Sequence, residues 1–223
     1  MKLLLASAGV NNPSIHHALL HLLGKPIAES SALCIPTAAY GHPRAGPGAA
    51  WNWIAGRGPV AMVDLGWKSL GVLELTALPS IDKKYWVPLV QATDVLLVGG
   101  GDATYLCYWM RQSGLADLLP SLSKTVWVGQ SGGSMVLTPR IGARFVQWSP
   151  PDGSDRTLGV VDFTIFPHLD NPDMMPGNSR AAAERWAAGM PGPAYAIDDE
   201  TAIQVVDGKV DVISEGHWKL FTP

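Results

Sequence analysis

Ser131 lies between glycines at a point where the sequence pattern changes. The segment VWVGQSGGSMVLT, residues 126–138, begins as a β-branched and aromatic run and continues as a run suited to a helix. A G-x-S-x-G motif between a strand and a helix is typical of a nucleophile elbow, in which a sharp turn exposes the serine hydroxyl. Such a turn requires small neighbours, and Gly129, Gly132 and Gly133 are small. The alternative is a tight turn whose serine only caps the helix.

A nucleophilic serine needs a general base, and His168 is the best candidate among the six histidines. It follows the apolar run in FTIFPHLD, where we expect a strand to end. Ligands collect at the carboxyl ends of strands in a parallel sheet, so neighbouring strands would bring Ser131 and His168 to one edge. This pair predicts nucleophilic catalysis. The alternative is a loop histidine with a structural role.

A second glycine turn, Gly99, Gly100 and Gly101, follows another apolar run in LLVGGGDATYL. Backbone amides at such a turn can approach a phosphate or a tetrahedral oxyanion. The sequence matches neither G-x-G-x-x-G nor a Walker loop, which disfavours phosphate. We therefore expect this turn and the amide of Gly132 to form an oxyanion hole.

The elements that must position these residues alternate between apolar strands and helices. This pattern predicts an α/β fold with a mostly parallel sheet covered on both faces, followed by an antiparallel finish around the turn at Asp207. The predicted strands are Lys2–Ser7, Ala32–Pro36, Gly71–Leu75, Asp94–Val98, Thr125–Gly129, Val160–Phe166, Tyr195–Ile197, Ala202–Val206 and Val210–Ile213. The predicted helices are Ser14–Leu23, Ala49–Ala55, Asp82–Gln91, Ala103–Gln112, Leu115–Leu122 and Ser179–Ala188.

Composition limits the classes of function. The 223 residues, 47% of them hydrophobic, favour a single domain over residues 1–223. A net charge of −3 without a basic run argues against a nucleic-acid partner or an anionic membrane surface. No apolar run approaches the ~18 residues of a membrane span, and MKLLLASAGV is interpreted as a first strand. Cys34 and Cys107 lie in apolar runs and fit a reducing compartment, so we expect a cytoplasmic protein.

Three motifs together resemble those of the peptidase E family of serine peptidases (family S51), and more distantly cyanophycinase. They are VGGGDATYL, VGQSGGSMVL and FPHLD, in that order, and the early LCIPTAAYGHP is also similar. The resemblance extends from Lys2 to about Trp218. It implies a flavodoxin-like three-layer sandwich related to class I glutamine amidotransferases, with Ser131 as nucleophile and His168 as base. It also implies hydrolysis of short peptides with an N-terminal aspartate, no metal or other cofactor, and by analogy a homodimer.

Further roles follow from the same resemblance. An arginine on the helix after the histidine would bind the substrate aspartate. Arg180 matches that position in MMPGNSRAAAERW, with Arg185 as the less favoured substitute. A guanidinium fork suits a carboxylate because it binds both oxygens. The alternative is that these are solvated helix arginines. The family usually has alanine after the nucleophile, and we expect Gly132 to be tolerated there.

The third member of the triad is the main departure from the family. The resemblance places it near Val146 and Gln147, where no carboxylate occurs. An amide could orient the imidazole without compensating its charge, so Gln147 is the first candidate. Asp170 has the H-x-acid spacing of the amidotransferase relatives, and Asp152 lies in a nearby loop. Glu184, Asp198 and Asp199 remain as candidates, but we expect them to serve as surface or turn residues.

Other functions are compatible with these motifs. A member of the fold without a working triad would be a weak enzyme or a binding protein. A hydrolase or amidotransferase-like enzyme acting on another small amide is a further alternative. An α/β-hydrolase normally places more strands between the serine and the histidine than the stretch from Ser131 to His168 allows.

Overall fold

The structure is a computed structural model, and it describes residues 1–58, 60 and 62–222. In that part of the chain, ten strands form two sheets. The strands are β1 (Lys2–Ala6), β2 (Ser31–Ile35), β3 (Ser69–Val72), β4 (Val95–Val98), β5 (Val126–Gln130), β6 (Thr164–Phe166), β7 (Ala194–Ile197), β8 (Thr201–Val206), β9 (Lys209–Ser214) and β10 (Trp218–Phe221).

The larger sheet has seven strands in the order β3-β2-β4-β5-β1-β8-β9. The first five of these run parallel to one another, and β8 and β9 join antiparallel. The smaller sheet has the order β10-β7-β6. The architecture is the one predicted from the alternating pattern, a mostly parallel sheet with an antiparallel finish.

Helices cover both faces of the larger sheet. They are α1 (Pro13–Leu23), α2 (Ala38–Gly41), α3 (Gly46–Ile54), α4 (Lys83–Ala92), α5 (Ala103–Ser113), α6 (Leu115–Leu118), α7 (Gly132–Met135) and α8 (Arg180–Ala187). Ile15, Leu19 and Leu22 of α1 belong to the core on one face, while Trp86 of α4 and Leu106 of α5 belong to the core on the other. Burial of these apolar side chains is the dominant force that holds the layers together.

Local sequence signals explain where the helices begin. Asn12 precedes α1, accepts a hydrogen bond from the amide of Ile15, and is followed by Pro13 at the first helical position. Asp102 caps α5 by accepting from the amide of Tyr105. Asp82 and Ser179 cap α4 and α8 in the same way. Start signals in the sequence therefore correspond to real caps.

Two predicted strands differ in position or length from the observed ones. The third strand was expected at Gly71–Leu75 and is found at Ser69–Val72, on the edge of the sheet. The strand expected at Val160–Phe166 is shorter, because the amides of Val160 and Val161 both donate to the carbonyl of Leu137 in a loop. This strand, β6, lies in the small sheet rather than in the large one. The apolar pattern predicted neither the small sheet nor its strand β10. Within the described residues, no helix is long and apolar enough to cross a bilayer.

Candidate active site

Ser131 occupies a strained turn between β5 and α7. Its backbone has φ 49° and ψ −112°, a region that residues with a side chain rarely adopt. The turn is possible because the neighbouring residues are glycines, which lack a Cβ. A Cβ added at Gly129 would lie 2.5 Å from the carbonyl oxygen of Gly133, and one added at Gly133 would overlap the carbonyl of Val98. The expected strand, turn and helix are all present, and the serine side chain stands at the carboxyl end of the sheet.

His168 faces Ser131 from the segment after β6. Its Nε2 lies 3.0 Å from the Oγ of Ser131, so the hydroxyl can donate to the imidazole. The residue is 4% exposed and has φ 55°, and its amide donates to the Oγ of Ser7 at 2.7 Å. The two residues singled out from the sequence thus meet at hydrogen-bond distance, although their strands belong to different sheets.

Asp199 contacts the other nitrogen of the imidazole. Its Oδ1 lies 2.6 Å from Nδ1 of His168 and also accepts from the hydroxyl of Ser7 at 2.8 Å. Its Oδ2 accepts from the side-chain amide of Asn171. Burial opposes ionisation of this carboxyl, but the hydrogen bond and charge of His168, with the donors Ser7 and Asn171, hold its pKa below the ordinary value. Asp199 is therefore an anion placed to fix the tautomer of His168.

The three candidates that the sequence favoured for this position lie elsewhere. Gln147 uses its backbone amide to donate to Asp102, and it lines the cavity described below without bonding His168. Asp170 caps the amide of Arg180 and pairs with Nε2 of His217. Asp152 accepts from the amide of Ser154 in an exposed loop. The expectation that Gln147 orients His168 was therefore wrong. Asp199, in the turn between β7 and β8, takes this position instead.

Asp199 was named among the candidates but not favoured, because its approach to His168 depends on tertiary structure. It lies in the turn between β7 and β8, and β8 pairs antiparallel with β1 so that Ala202 lies opposite Ala6. That pairing brings the turn to the end of β1, where Ser7 follows. A local signal did exist: Asp198 and Asp199 directly follow the apolar strand β7.

The glycine turn after β4 lies against the nucleophile. A Cβ at Gly100 would stand 3.4 Å from the Cβ of Ser131, and one at Gly132 would overlap the carbonyl oxygen of Gly101. The amide of Gly99 donates to the carbonyl of Ile35, so it is occupied. Among the described residues, the amides of Gly100 and Gly132 have no acceptor. The amide of Gly101, at φ 140°, likewise has no acceptor in that part of the chain, so Gly100, Gly101 and Gly132 all offer donors to an oxyanion.

Ser131 and His168 open into a cavity of about 530 Å³. Much of its wall is apolar, from residues such as Trp53, Phe145 and Met175. Its ionisable lining, besides His168, consists of His42, Arg44 and Arg57.

The arginines that the sequence favoured are not part of this wall. Arg180 and Arg185 are exposed on α8, outside the lining of the cavity. In the described part of the chain, no group of three or more His, Cys, Asp or Glu side chains could hold a metal ion. The arginines that line the cavity therefore come from the segment between β2 and β3.

Comparisons with known proteins agree with this architecture. The model of peptidase family S51 matches residues 3–213. A solved structure assigned to peptidase E, from Listeria monocytogenes EGD-e, is 18% identical with a TM-score of 0.68, covering 96% of this chain and 98% of the other. A peptidase from an acI-B1 Actinobacterium is 22% identical with a TM-score of 0.62, covering 99% and 93%. No curated protein matches the chain significantly.

Proposed function

Because this chain belongs to peptidase family S51, we propose that it is a serine peptidase that forms an acyl-enzyme on Ser131. The observation that carries this proposal is the continuous hydrogen-bond chain from Ser131 through His168 to Asp199, with distances of 3.0 and 2.6 Å. Serine, histidine and aspartate in this order are the constellation of nucleophile, base and orienting acid.

The first half of the reaction acylates the serine. Asp199 holds the proton of His168 on Nδ1, which leaves the lone pair of Nε2 facing Ser131. Nε2 takes the hydroxyl proton as Oγ bonds to the scissile carbonyl carbon, whose π electrons move to its oxygen. When the tetrahedral intermediate collapses, the C–N bond breaks and the imidazolium gives its proton to the departing amine.

The second half repeats these steps with water. His168 removes a proton from the water, the hydroxide attacks the ester carbonyl, and the Oγ of Ser131 leaves and regains a proton. Each tetrahedral intermediate carries an oxyanion, which the amides of Gly100 and Gly132 would stabilise. A donor of this kind contributes about 10²–10³-fold to kcat.

The substrates we propose are short peptides with an N-terminal aspartate, as the family resemblance implies. Arg44 and Arg57 line the cavity that holds Ser131, and either guanidinium could pair with the aspartate carboxylate. Arg180, which the resemblance pointed to, lies outside the lining of this cavity, so Arg44 and Arg57 are the preferred partners here. The cavity of about 530 Å³ suits a small peptide rather than a folded protein.

A nucleophile exchange tests the mechanism. Ser131→Ala should lower kcat for Asp-Leu hydrolysis by several orders of magnitude without changing the unfolding transition, because no other group can be acylated. Ser121→Ala, an exposed serine remote from the cavity, is the matched control. With a slowly deacylating ester, intact-mass spectrometry should find an adduct on wild type alone. Full activity in folded Ser131→Ala, or an adduct on it, would remove Ser131 from the mechanism.

A further inference from the structure

The loop that follows the base of the triad also forms part of the cavity wall. Residues 171–178, which we call the methionine loop, lie between His168 and α8. Met174 and Met175 of this loop line the cavity that holds Ser131. Met174 is 48% exposed, so an apolar side chain of a bound peptide would bury surface that water now contacts. The loop therefore joins the reacting groups to a surface that a substrate would contact.

The side chain of Asn171 connects this loop with the acid of the triad. Its Nδ2 donates to Oδ2 of Asp199, the oxygen that is not bonded to His168. Its Oδ1 accepts from the backbone amides of Asp173 and Met174, both at 3.1 Å. An asparagine that accepts from amides two and three residues further on closes a local turn. The start of the methionine loop is consequently folded around the same side chain that holds the acid.

Backbone and side-chain bonds tie both ends of the loop to the segment around the base. The amide of Asn171 donates to the carbonyl of His168, and the amide of Met175 donates to the carbonyl of Asn171. At the other end, Asn178 is 2% exposed and its side-chain amide donates to the carbonyl of Pro167. Because both ends are anchored, the turn at Asn171 decides how the methionines face the cavity.

The ionisable groups around this contact have other partners or face solvent. Asp170 and Asp198 lie 3.2 and 2.9 Å from the imidazole nitrogens of His217. Glu200 accepts from two asparagine side chains, and Asp173 is exposed. In the described part of the chain, the base of the triad is the one ionisable side chain that bonds the acid. The state of the acid therefore depends on that base and on its uncharged donors.

We propose that Asn171 is a positioning residue, which fixes Asp199 through its amide nitrogen and the methionine wall of the cavity through its amide oxygen. An amide suits both contacts, because its nitrogen only donates and its oxygen only accepts. The inference rests on the proposed serine peptidase function and adds to it a link between the substrate surface and the triad. Burial opposes ionisation of Asp199, and its hydrogen bonds, including the one from Asn171, outweigh that effect and lower its pKa.

Two substitutions separate the donor from the acceptor. Asn171→Leu removes both, and loss of the donor raises the pKa of Asp199 above that in wild type. Its kcat relative to wild type should therefore fall as the pH decreases. Asn171→Asp keeps an acceptor for the loop amides and places a second carboxyl group beside Asp199. The two carboxyl groups can share one proton, and like charges face each other once it is lost, so kcat relative to wild type should fall as the pH rises.

Steady-state hydrolysis of Asp-Leu by folded proteins tests these opposite trends. Between about pH 5 and about pH 9, each variant should lose about 10-fold or more in kcat at its unfavourable end, because small displacements in a triad are costly. A structural role alone would not give trends of opposite direction. If both variants keep the wild-type pH dependence, the inference is wrong. If Asn171→Leu does not fold, the trend in Asn171→Asp decides alone.

A second peptide tests the contact with the methionine wall. A leucine side chain buried against Met174 and Met175 should raise kcat/KM of Asp-Leu about 10-fold or more above that of Asp-Gly. Asn171→Asp should keep this ratio, because it still accepts from the loop amides, whereas Asn171→Leu should lower it by about 3-fold or more. An equal preference for the two peptides in wild type, or an unchanged ratio in Asn171→Leu, would refute the link to the wall.

Asn11 supplies the matched control. Its side chain is exposed and also donates to Asp199, but to the backbone carbonyl at 2.6 Å rather than to the carboxylate. Asn11→Leu should change neither the pH dependence of kcat nor the ratio between the two peptides. The same changes in this control would show that any contact with the turn is sufficient, which would refute the specific role of Asn171.

Labelling with a fluorophosphonate distinguishes failure of this inference from failure of the proposed function. The Oγ of Ser131 displaces fluoride from phosphorus as His168 takes its proton, so no peptide is needed and the labelling rate should follow the same pH trends. If Ser131 is labelled but no peptide is cleaved, the proposed substrates are wrong and the labelling rates decide the role of Asn171. If folded wild type is neither labelled nor active, the proposed function fails, and this inference fails with it.

Discussion

His168 and Asp199 lie 31 positions apart in the chain, and their Nδ1 and Oδ1 atoms are separated by 2.6 Å. The carboxylate holds the imidazole in the tautomer that leaves Nε2 free toward Ser131, 3.0 Å away. It also offsets the positive charge that the ring gains when it takes the serine proton. The base is thus oriented by a turn that follows it in sequence rather than by the loop that precedes it.

The first prediction concerns Asp199. Asp199→Asn should lower kcat by about 10⁴-fold, because an amide favours the wrong tautomer and cannot offset the imidazolium charge. The measurement is steady-state hydrolysis of an aspartyl peptide by folded variants.

Variants at the positions that the sequence favoured are the controls. Gln147→Glu, Asp170→Asn and Asp152→Asn should each change kcat far less, since none of these side chains bonds His168. Loss of activity in one of them, together with an active Asp199→Asn, would show that another acid serves the base.

The second prediction concerns Ser7, which is fully buried and joins base to acid. Its hydroxyl accepts from the amide of His168 and donates to Asp199. Ser7→Ala leaves a buried N–H unpaired, which should lower the free energy of unfolding by about 1–3 kcal/mol. Because the hydroxyl also holds His168 and Asp199 in place, we expect kcat to fall about 10-fold with little change in KM. Losing a donor also raises the pKa of Asp199, so kcat of the variant should begin to fall on acidification through that pKa at a higher pH than kcat of wild type does. If Ser7 only stabilised the fold, Ser7→Ala would instead lower activity by the same factor at every pH.

Ser30→Ala is the matched control for this variant. Ser30 is also fully buried, and its hydroxyl donates to the carbonyl of Pro26, away from the site. It should lose comparable stability and keep the wild-type pH profile.

The third prediction concerns Gly132. A Cβ here would overlap the carbonyl oxygen of Gly101, so alanine must push the glycine turn away from Ser131. We expect Gly132→Ala to lower kcat by about 10²–10³-fold, the effect of losing one oxyanion donor. Gly48→Ala, in the open part of α3, should leave kcat unchanged. Unimpaired turnover by Gly132→Ala would argue against the oxyanion hole described above.

The fourth prediction concerns stability and pH at Asp155. This carboxylate accepts from Nε and a terminal nitrogen of Arg140 and from the amide of Gly142. Burial opposes its ionisation, yet the bonds and charge of Arg140, with the amide of Gly142, hold its pKa below the ordinary value. Because the pKa of Asp155 is lower in the folded protein than in the unfolded chain, its ionised form stabilises the fold. This stabilisation is fully present above about pH 4, the ordinary pKa, and is lost as the pH falls through the pKa of the folded protein.

Urea unfolding at several pH values tests this linkage. Asp155→Asn should lower the free energy of unfolding at pH 7 by about 1.5–3 kcal/mol, the range for hydrogen bonds to charged groups. The difference from wild type should shrink as pH falls below about 4. Asp117→Asn, an exposed residue, should show no such pH-dependent difference. A deficit for Asp155→Asn that stays constant with pH would mean that its charge does not matter.

Local features of the sequence were sufficient to predict the parallel part of the fold. Apolar runs that end in Gly99 and Gly129 are buried strands followed by helices, because a strand covered on both faces needs a continuous apolar stretch. The elbow around Ser131 is equally local, since only small residues fit such a turn. The apolar run that directly precedes His168 in the sequence also predicted its position at the end of a strand.

Tertiary structure alone decided which distant groups complete the site. Asp199 reaches His168 only because β8 pairs antiparallel with β1, and nothing near Asp199 in the sequence specifies that pairing. Likewise, the resemblance pointed to Arg180, but α8 places it outside the cavity that Arg44 and Arg57 line. Periodicity and turn chemistry act over a few residues, whereas the partners of a side chain depend on how whole elements are arranged in space.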